Sequence, residues 1–343
     1  MKIKDKAFYS TVREFLTIHL PKRRCLSENT ILSYKTALNL FIDYLTEEKR
    51  IKIHKLSFED FSSDNVNAFL DWLQLTRNIS ASSRNQRLMA LRSFAKFAAS
   101  QDAENLFMQV ELANVPMQKT SAKTVEFLSE DALKCLLAQP NLKTRIGLRD
   151  CFFMSLMYDT AARVSEMLSL RLGSFSLTQG APFVYLLGKG NKTRTVPIMD
   201  KTVAMQKLYC SVFHSENAGN DDFLFYTKSH GIRNKMSVDA VASFIKKHGI
   251  SAKEKCAVMP DNLHPHQLRH TRAIHLYRSG VPLTLVAEFL GHAQVTTVQI
   301  YAYADTEMKR AAIRKIDGEK NDCEQPAIWE NDKEMIKRLC GLA

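Results

Sequence analysis

Four short segments of this chain carry side chains that could handle a phosphate. In TAARVSEMLSLRL, Arg163 and Glu166 stand three residues apart. Alone, such a pair is an ordinary surface ion pair worth roughly a few tenths of a kcal/mol. GKGNKTR is a glycine-rich turn holding Lys189, Lys192 and Arg194. Its glycines let the backbone bend tightly, and a lysine tip there can reach a phosphate oxygen. It lacks the GxxxxGK[ST] spacing of a P-loop, and without a phosphate it is a solvated hairpin tip. HPHQLRHTRAIH puts His266, Arg269 and His270 at i, i+3 and i+4, one face of a helix. Imidazoles at i and i+4 can hold a metal, and with His264 they make a metal-dependent nuclease an alternative. However, Gln267 stands where HExxH has glutamate, and the Arg269 guanidinium opposes a cation, so an anion fits better. LGHAQVTTVQIYAYAD supplies His292 and Tyr301. Tyr303 faces away from Tyr301, because two residues turn a helix by about 200°. A tyrosine in an apolar helix is ordinarily core filling.

In chain order the segments RVSE, GKGNK, HxLRH, LGH and TTxQIY resemble the tyrosine recombinase or phage integrase family, most closely its Xer-like members. The resemblance covers about residues 125–310. It implies that Tyr301 attacks a DNA phosphodiester, leaving a 3′-phosphotyrosyl link and a free 5′-hydroxyl. Arg163 and Arg269 would clamp the non-bridging oxygens, a task suited to a planar, always-charged guanidinium. Lys189 would protonate the departing 5′-oxygen, with Lys192 as its local rival. His266 would exchange the tyrosine proton, His292 would hydrogen-bond the phosphate, and Glu166 and His270 would support these groups. The phosphotyrosine retains the bond energy, so neither cofactor nor metal is needed. The implied enzyme is a site-specific recombinase acting on double-stranded DNA, as a homotetramer on two DNA sites. A DNA-binding protein without turnover and a type IB topoisomerase remain as alternatives.

The elements that must position these groups suggest a mainly α fold with a small antiparallel β-sheet (α+β). The chain has 343 residues and a net charge of +12. That length suggests two domains, and that charge attracts polyanions by counterion release. Within 1–112 three amphipathic helices are legible: Ile31, Tyr34, Leu38, Phe41 and Leu45 after a Ser27 cap; Val66, Phe69, Leu70 and Leu73; and Leu88, Leu91, Phe94 and Ala98. The last carries Arg84, Arg87, Arg92 and Lys96 on its other side, a face that is either merely solvated or tracks phosphates. Residues 113–124, ANVPMQKTSAKT, read as a basic linker with Lys119 and Lys123. A catalytic domain over 125–317 opens with a helix capped by Ser129 and contains strands at Phe183–Leu187 and Thr193–Ile198. Residues 318–343 form an amphipathic tail with Ile328, Met335, Ile336 and Leu339, read as docking on its own domain or on a neighbouring protomer. The resemblance implies a C-shaped clamp around DNA. Met1–Lys22 is too short for an arm-binding domain, so a core-site enzyme is expected, closer to chromosome-dimer resolvases or mobile-element recombinases.

The seven cysteines, Cys25, Cys135, Cys151, Cys210, Cys256, Cys323 and Cys340, show no CxxC spacing, so neither a disulfide framework nor a zinc site is indicated. No signal peptide and no membrane-spanning run is visible. A reduced, cytoplasmic, nucleoid-associated protein is expected.

Overall fold

The computed structural model describes residues 4–120, 125–178, 180–188, 192–291, 298, 334, 337 and 338. The chain divides into two compact units, 1–123 and 124–343.

The first unit is helical. α1 (Lys6–Glu14) runs on as a π-helix over Phe15–Arg23; α2 (Glu28–Glu47), α3 (Ser63–Arg77), α4 (Ala81–Gln101) and α5 (Leu106–Asn114) follow. Ser27, Ser62 and Ser80 cap the starts of α2, α3 and α4, each accepting a backbone N–H three residues on. The apolar stripes close on Phe8, Phe15, Phe41, Phe61, Phe69 and Phe94, all fully buried. Many rings meet edge to face, as Phe41 and Phe61 do at 4.7 Å and 74°.

Here two expectations are corrected. Arg84 is only 4% exposed and donates Nη1 to the Pro116 carbonyl at 3.2 Å. Arg92 donates Nε to Leu112 O and Nη2 to Ala113 O, both at 2.8 Å, and also bonds Val115 O. The carbonyls of the last turn of α5 have no partner within the helix, and a guanidinium fork can serve several at once. Asn85 exchanges two hydrogen bonds with the Gln118 backbone, at 2.8 and 3.0 Å. Residues 113–118 are therefore fastened to α4 rather than opening a flexible linker. Arg84 and Arg92 are turned onto backbone carbonyls rather than outward to phosphates. Arg87 is half-buried, and Lys96 and Lys119 are exposed; Lys123 lies outside the described residues.

The second unit begins with α6 (Glu130–Leu137), capped by Ser129, then α7 (Arg145–Thr160) and the short α8 (Val164–Leu168). β1 (Phe175–Ser176), β2 (Phe183–Leu187) and β3 (Thr193–Pro197) form one antiparallel sheet in that order. After α9 (Asp200–Phe213) come β4 (Tyr226–Ser229) and β5 (Ile232–Lys235), then α10 (Val238–Lys253), α11 (Pro265–Arg278) and α12 (Leu283–Leu290). The β4–β5 hairpin is a second β-element that the polar run YTKSHGIRNK hid. Its two-residue turn puts both His230 (φ 50°) and Gly231 (φ 80°) in the left-handed region, which suits the right-handed twist of the strands. The main core holds Phe152, Phe153, Tyr209 and Phe225 between α7, α9 and β4. A smaller cluster of Ala161, Ala273, Ile274, Val286, Ala287 and Leu290 joins the C-terminal end of α7 to α11 and α12. Among the described residues no helix is long and apolar enough to cross a membrane.

Candidate active site

Three helix ends and one strand meet around a single carboxylate. α7 stops at Ala161, which takes the left-handed conformation (φ 47°), and the chain then passes in extended form through Arg163 into α8. Arg269, on α11 and 3% exposed, donates Nη1 to Ala161 O and Nη2 to Leu290 O, each at 2.6 Å. Both acceptors lie at helix C-terminal ends, where unpaired carbonyls carry partial negative charge that a guanidinium offsets. The buried arginine thus ties α7 and α12 to α11.

Glu166 is 3% exposed and lies at the centre. Its Oε2 accepts the Arg163 backbone N–H at 2.8 Å, which also caps α8, and its Oε1 accepts Arg163 Nη1 at 2.8 Å. Arg194 closes a two-pronged pair on it, Nη1 to Oε1 at 3.0 Å and Nη2 to Oε2 at 2.8 Å. Arg269 Nη1 stands 4.0 Å away. Burial alone would raise this carboxyl, but the hydrogen bonds from Arg194 and Arg163, with the charge of Arg194, hold it below the usual carboxylate range. Three guanidinium groups around one carboxylate leave the site cationic. The Arg163 side chain is 33% exposed, so its charge is presented to solvent while Glu166 fixes its aim.

Arg194, expected with Lys192 among the DNA-contacting residues, is instead turned inward onto Glu166. The register pairs Leu186 with Arg194 and Val184 with Val196. Leu186, Val184 and Val196 are fully buried, so the inward face of the hairpin includes Arg194. The two-residue alternation from Arg194 to Val196 was the signal in the sequence. Its charge suggested the wrong face.

His266 sits in the first turn of α11 and keeps solvent contact. Burial of its ring lowers its pKa below 6.5, and the nearby charges of His264, Arg269 and Arg163 act the same way, so the imidazole is neutral near pH 7. Gln267 anchors this helix start, accepting from His264 N at 2.8 Å and donating to Glu126 Oε2 at 2.8 Å, and Thr271 Oγ1 accepts Leu128 N at 2.9 Å. His270 is half-buried on the same helix. Asp159, not singled out in the sequence, accepts Met199 N at 3.0 Å and Thr202 Oγ1 at 2.7 Å, fixing the last turn of α7 to the start of α9. Lys192 is exposed beside β3. Lys189, His292 and Tyr301 lie outside the described residues. Among the described residues no three His, Cys, Asp or Glu side chains gather as a metal-binding group.

Residues 126–308 match the phage integrase family, and residues 12–102 match the phage integrase N-terminal SAM-like domain. The chain belongs to the phage integrase family. It is a tyrosine-type site-specific recombinase. The tyrosine recombinase XerD of Rickettsia bellii is 30% identical over 312 residues, covering 88% of this chain and 96% of that protein. The XerH site-specific recombinase, solved as a post-cleavage complex with palindromic difH substrate, superposes with a TM-score of 0.64 at 19% identity, over 92% of this chain and 90% of that one. The Tn1549 transposon integrase, solved with transposon right end DNA, gives 0.64 at 14% identity over 89% and 99%. At those identities the likeness is one of fold. The recombinase thus pairs a shared scaffold with a cationic centre assembled from segments far apart in sequence.

Proposed function

We propose that this recombinase cleaves and rejoins duplex DNA with Tyr301 as nucleophile. The observation that carries the reading is the convergence of Arg163, Arg269 and Arg194 on the buried Glu166, because such a centre stabilises the charge that grows on a phosphate in the transition state. The Tyr301 phenol oxygen attacks phosphorus, and the bond from phosphorus to the 5′-oxygen breaks. The phenol proton passes to neutral His266, and Lys189, or its rival Lys192, protonates the leaving 5′-oxygen. Arg163 and Arg269 flank the non-bridging oxygens, with His292 as a further hydrogen-bond donor, while Glu166 and His270 hold these groups in place. Rejoining reverses the sequence with a 5′-hydroxyl from the same or another strand.

The solved relatives bound to DNA support a duplex substrate. Arg87, Lys96, Lys119 and Lys123 are the proposed phosphate contacts outside the catalytic unit. We further assign residues 1–112 to core-site binding, 125–317 to catalysis and 318–343 to a tail that docks on a neighbouring protomer. The working assembly is a homotetramer on two sites, in the cytoplasm with the nucleoid. The transposon integrase among the related folds favours a mobile-element origin.

The deciding test incubates fragments of the source genome with wild-type protein and Tyr301→Phe in the presence of chelator, and collects covalent protein–DNA adducts after denaturation. The expected result is site-specific adducts with wild type and none with Tyr301→Phe. Adducts that survive the substitution would assign the nucleophile elsewhere, and cleavage that vanishes in chelator would favour a metal-dependent nuclease.

A further inference from the structure

Arg194 sits where several parts of the site are joined. Its Nη1 and Nη2 grip Glu166, the same carboxylate that holds Arg163 by its backbone and its side chain. Its Nε donates to Phe289 O in the last turn of α12 at 3.2 Å. The ion pair also lies close enough to two glycines that a side chain on either would meet it. A Cβ built on Gly291, the left-handed cap of α12 (φ +65°), would lie 3.0 Å from Arg194 Nη1, 3.1 Å from its Cδ and 3.3 Å from its Cζ. A Cβ on Gly188 would lie 3.6 Å from Glu166 Oε1 and 3.7 Å from Arg194 Nη1. Gly291 is followed directly in the chain by His292, and Gly188 by Lys189. This pair therefore lies beside the chain immediately before two of the proposed site residues and fixes a third.

We propose that Arg194 is a positioning residue for strand cleavage, setting Arg163 through the Glu166 carboxylate and setting the entries to Lys189 and His292 by its hydrogen bond to Phe289 O and by the side-chain-free space that Gly188 and Gly291 leave for it. It rests on the residue roles proposed above. Because its Nε, Nη1 and Nη2 all donate to acceptors within the protein, Arg194 acts on geometry and not on DNA affinity. Lysine cannot replace it fully, because a point charge lacks the planar fork that spans both carboxylate oxygens.

The test uses full-length Arg194→Gln, Arg194→Lys, Glu166→Gln and the Glu166→Gln/Arg194→Gln double variant, on a nicked duplex bearing the captured genomic site. Adduct formation at saturating DNA and equilibrium binding across salt are read separately. Arg194→Gln should lose roughly tenfold to a hundredfold in adduct rate, the scale on which supporting residues act. Its DNA affinity should stay within about twofold, with an unchanged salt slope. Arg194→Lys should recover part of the rate, and the double variant should be no slower than the slower single one, since both act through one pair. Where Arg194→Gln does not melt cooperatively, Arg194→Lys is read alone, and a wild-type rate from it overturns the proposal. A normal rate at saturation with a salt slope lower by about 0.9 would make Arg194 a phosphate contact instead. Losses that multiply in the double variant would also overturn it. Adducts persisting in Tyr301→Phe overturn the role assignments and this inference together. Adducts lost in Tyr301→Phe but formed at the wild-type rate by the Arg194 variants overturn this inference alone.

Discussion

At the scale of single residues, the chemistry depends on two groups whose protonation is set by their neighbours. Glu166 is a buried anion that accepts from Arg163 and Arg194. Removing one member of a buried pair leaves the others without a counter-charge, at a cost of about 3–5 kcal/mol. Glu166→Gln should therefore lower the urea-unfolding free energy by about 3 kcal/mol, the low end, because Arg163 can still turn to water. A carboxyl whose pKa is lower in the folded chain than in the unfolded one adds stability above the unfolded value and loses it as pH falls through the folded one. Its ordinary value here is 4.5. The stability gap between wild type and Glu166→Gln should thus stay flat from neutrality down to about pH 5 and close only in stronger acid. A gap that closes nearer neutrality would mean that the carboxyl is not held low. The His266 pKa is also lowered, but for an imidazole the lowering favours the neutral form. Its pKa is below 6.5, so its neutral, proton-accepting form persists to lower pH. Adduct formation at sub-saturating DNA reports the free enzyme, and its acid limb should fall below pH 6.5. A limb above that value would remove His266 as the base.

At the scale of elements, the α4–α5 junction separates cations that hold structure from cations that meet solvent. Arg92 closes the C-terminal end of α5 by donating to Leu112, Ala113 and Val115 carbonyls. Charged donors contribute more than neutral ones, so Arg92→Gln should destabilise the first unit by about 2 kcal/mol and speed amide exchange over residues 106–118, with the salt slope of DNA binding unchanged. Lys96→Gln, four residues further along the same helix, should do the reverse, lowering that slope by about 0.9 with little change in stability. Equal effects on the slope would return Arg92 to the DNA face. This junction also marks what a sequence can disclose. The serine caps at Ser27 and Ser129, the stripes of α2, α3 and α4, and the β2–β3 hairpin were legible because each follows from neighbours a few residues apart. The reach of Arg84 to Pro116, the anchoring of α9 by Asp159 and the pairing of Arg194 with Glu166 join distant segments, which no local periodicity encodes. A long cationic side chain on a mixed face can point either way. At the site, the residue types of the RVSE and HxLRH segments were readable; that their arginines share one carboxylate with a strand residue was not.

At the scale of the whole molecule, two units with separate cores carry the charge evenly. Residues 1–123 hold 19 basic and 13 acidic side chains, and residues 124–343 hold 29 and 23, a net +6 in each. Each unit buries its own aromatic cluster, Phe41, Phe61 and Phe94 in one, Phe152, Phe153 and Phe225 in the other. An equal share of positive charge means that neither unit alone accounts for attraction to a polyanion. When two weak binders are tethered, the second binds as an intramolecular step at high effective concentration, which multiplies affinity without any new contact. A protease site inserted between residues 120 and 125 isolates this effect in the otherwise intact chain. After cutting, both pieces should keep cooperative melting transitions, since among the described residues each unit has an apolar cluster of its own. Affinity for the captured duplex should fall by a factor of roughly 10² or more, and the salt slope of each piece should be a fraction of that of the uncut chain. If one piece retained the full affinity and slope, recognition would reside in that unit, and the even charge of the other would serve solubility instead. If a piece failed to melt cooperatively, the two cores would depend on each other in a way that their separate clusters do not suggest. The split result alone would tie the two-unit architecture to DNA binding, because only a tethered pair loses affinity when its covalent link is cut while every side chain stays in place.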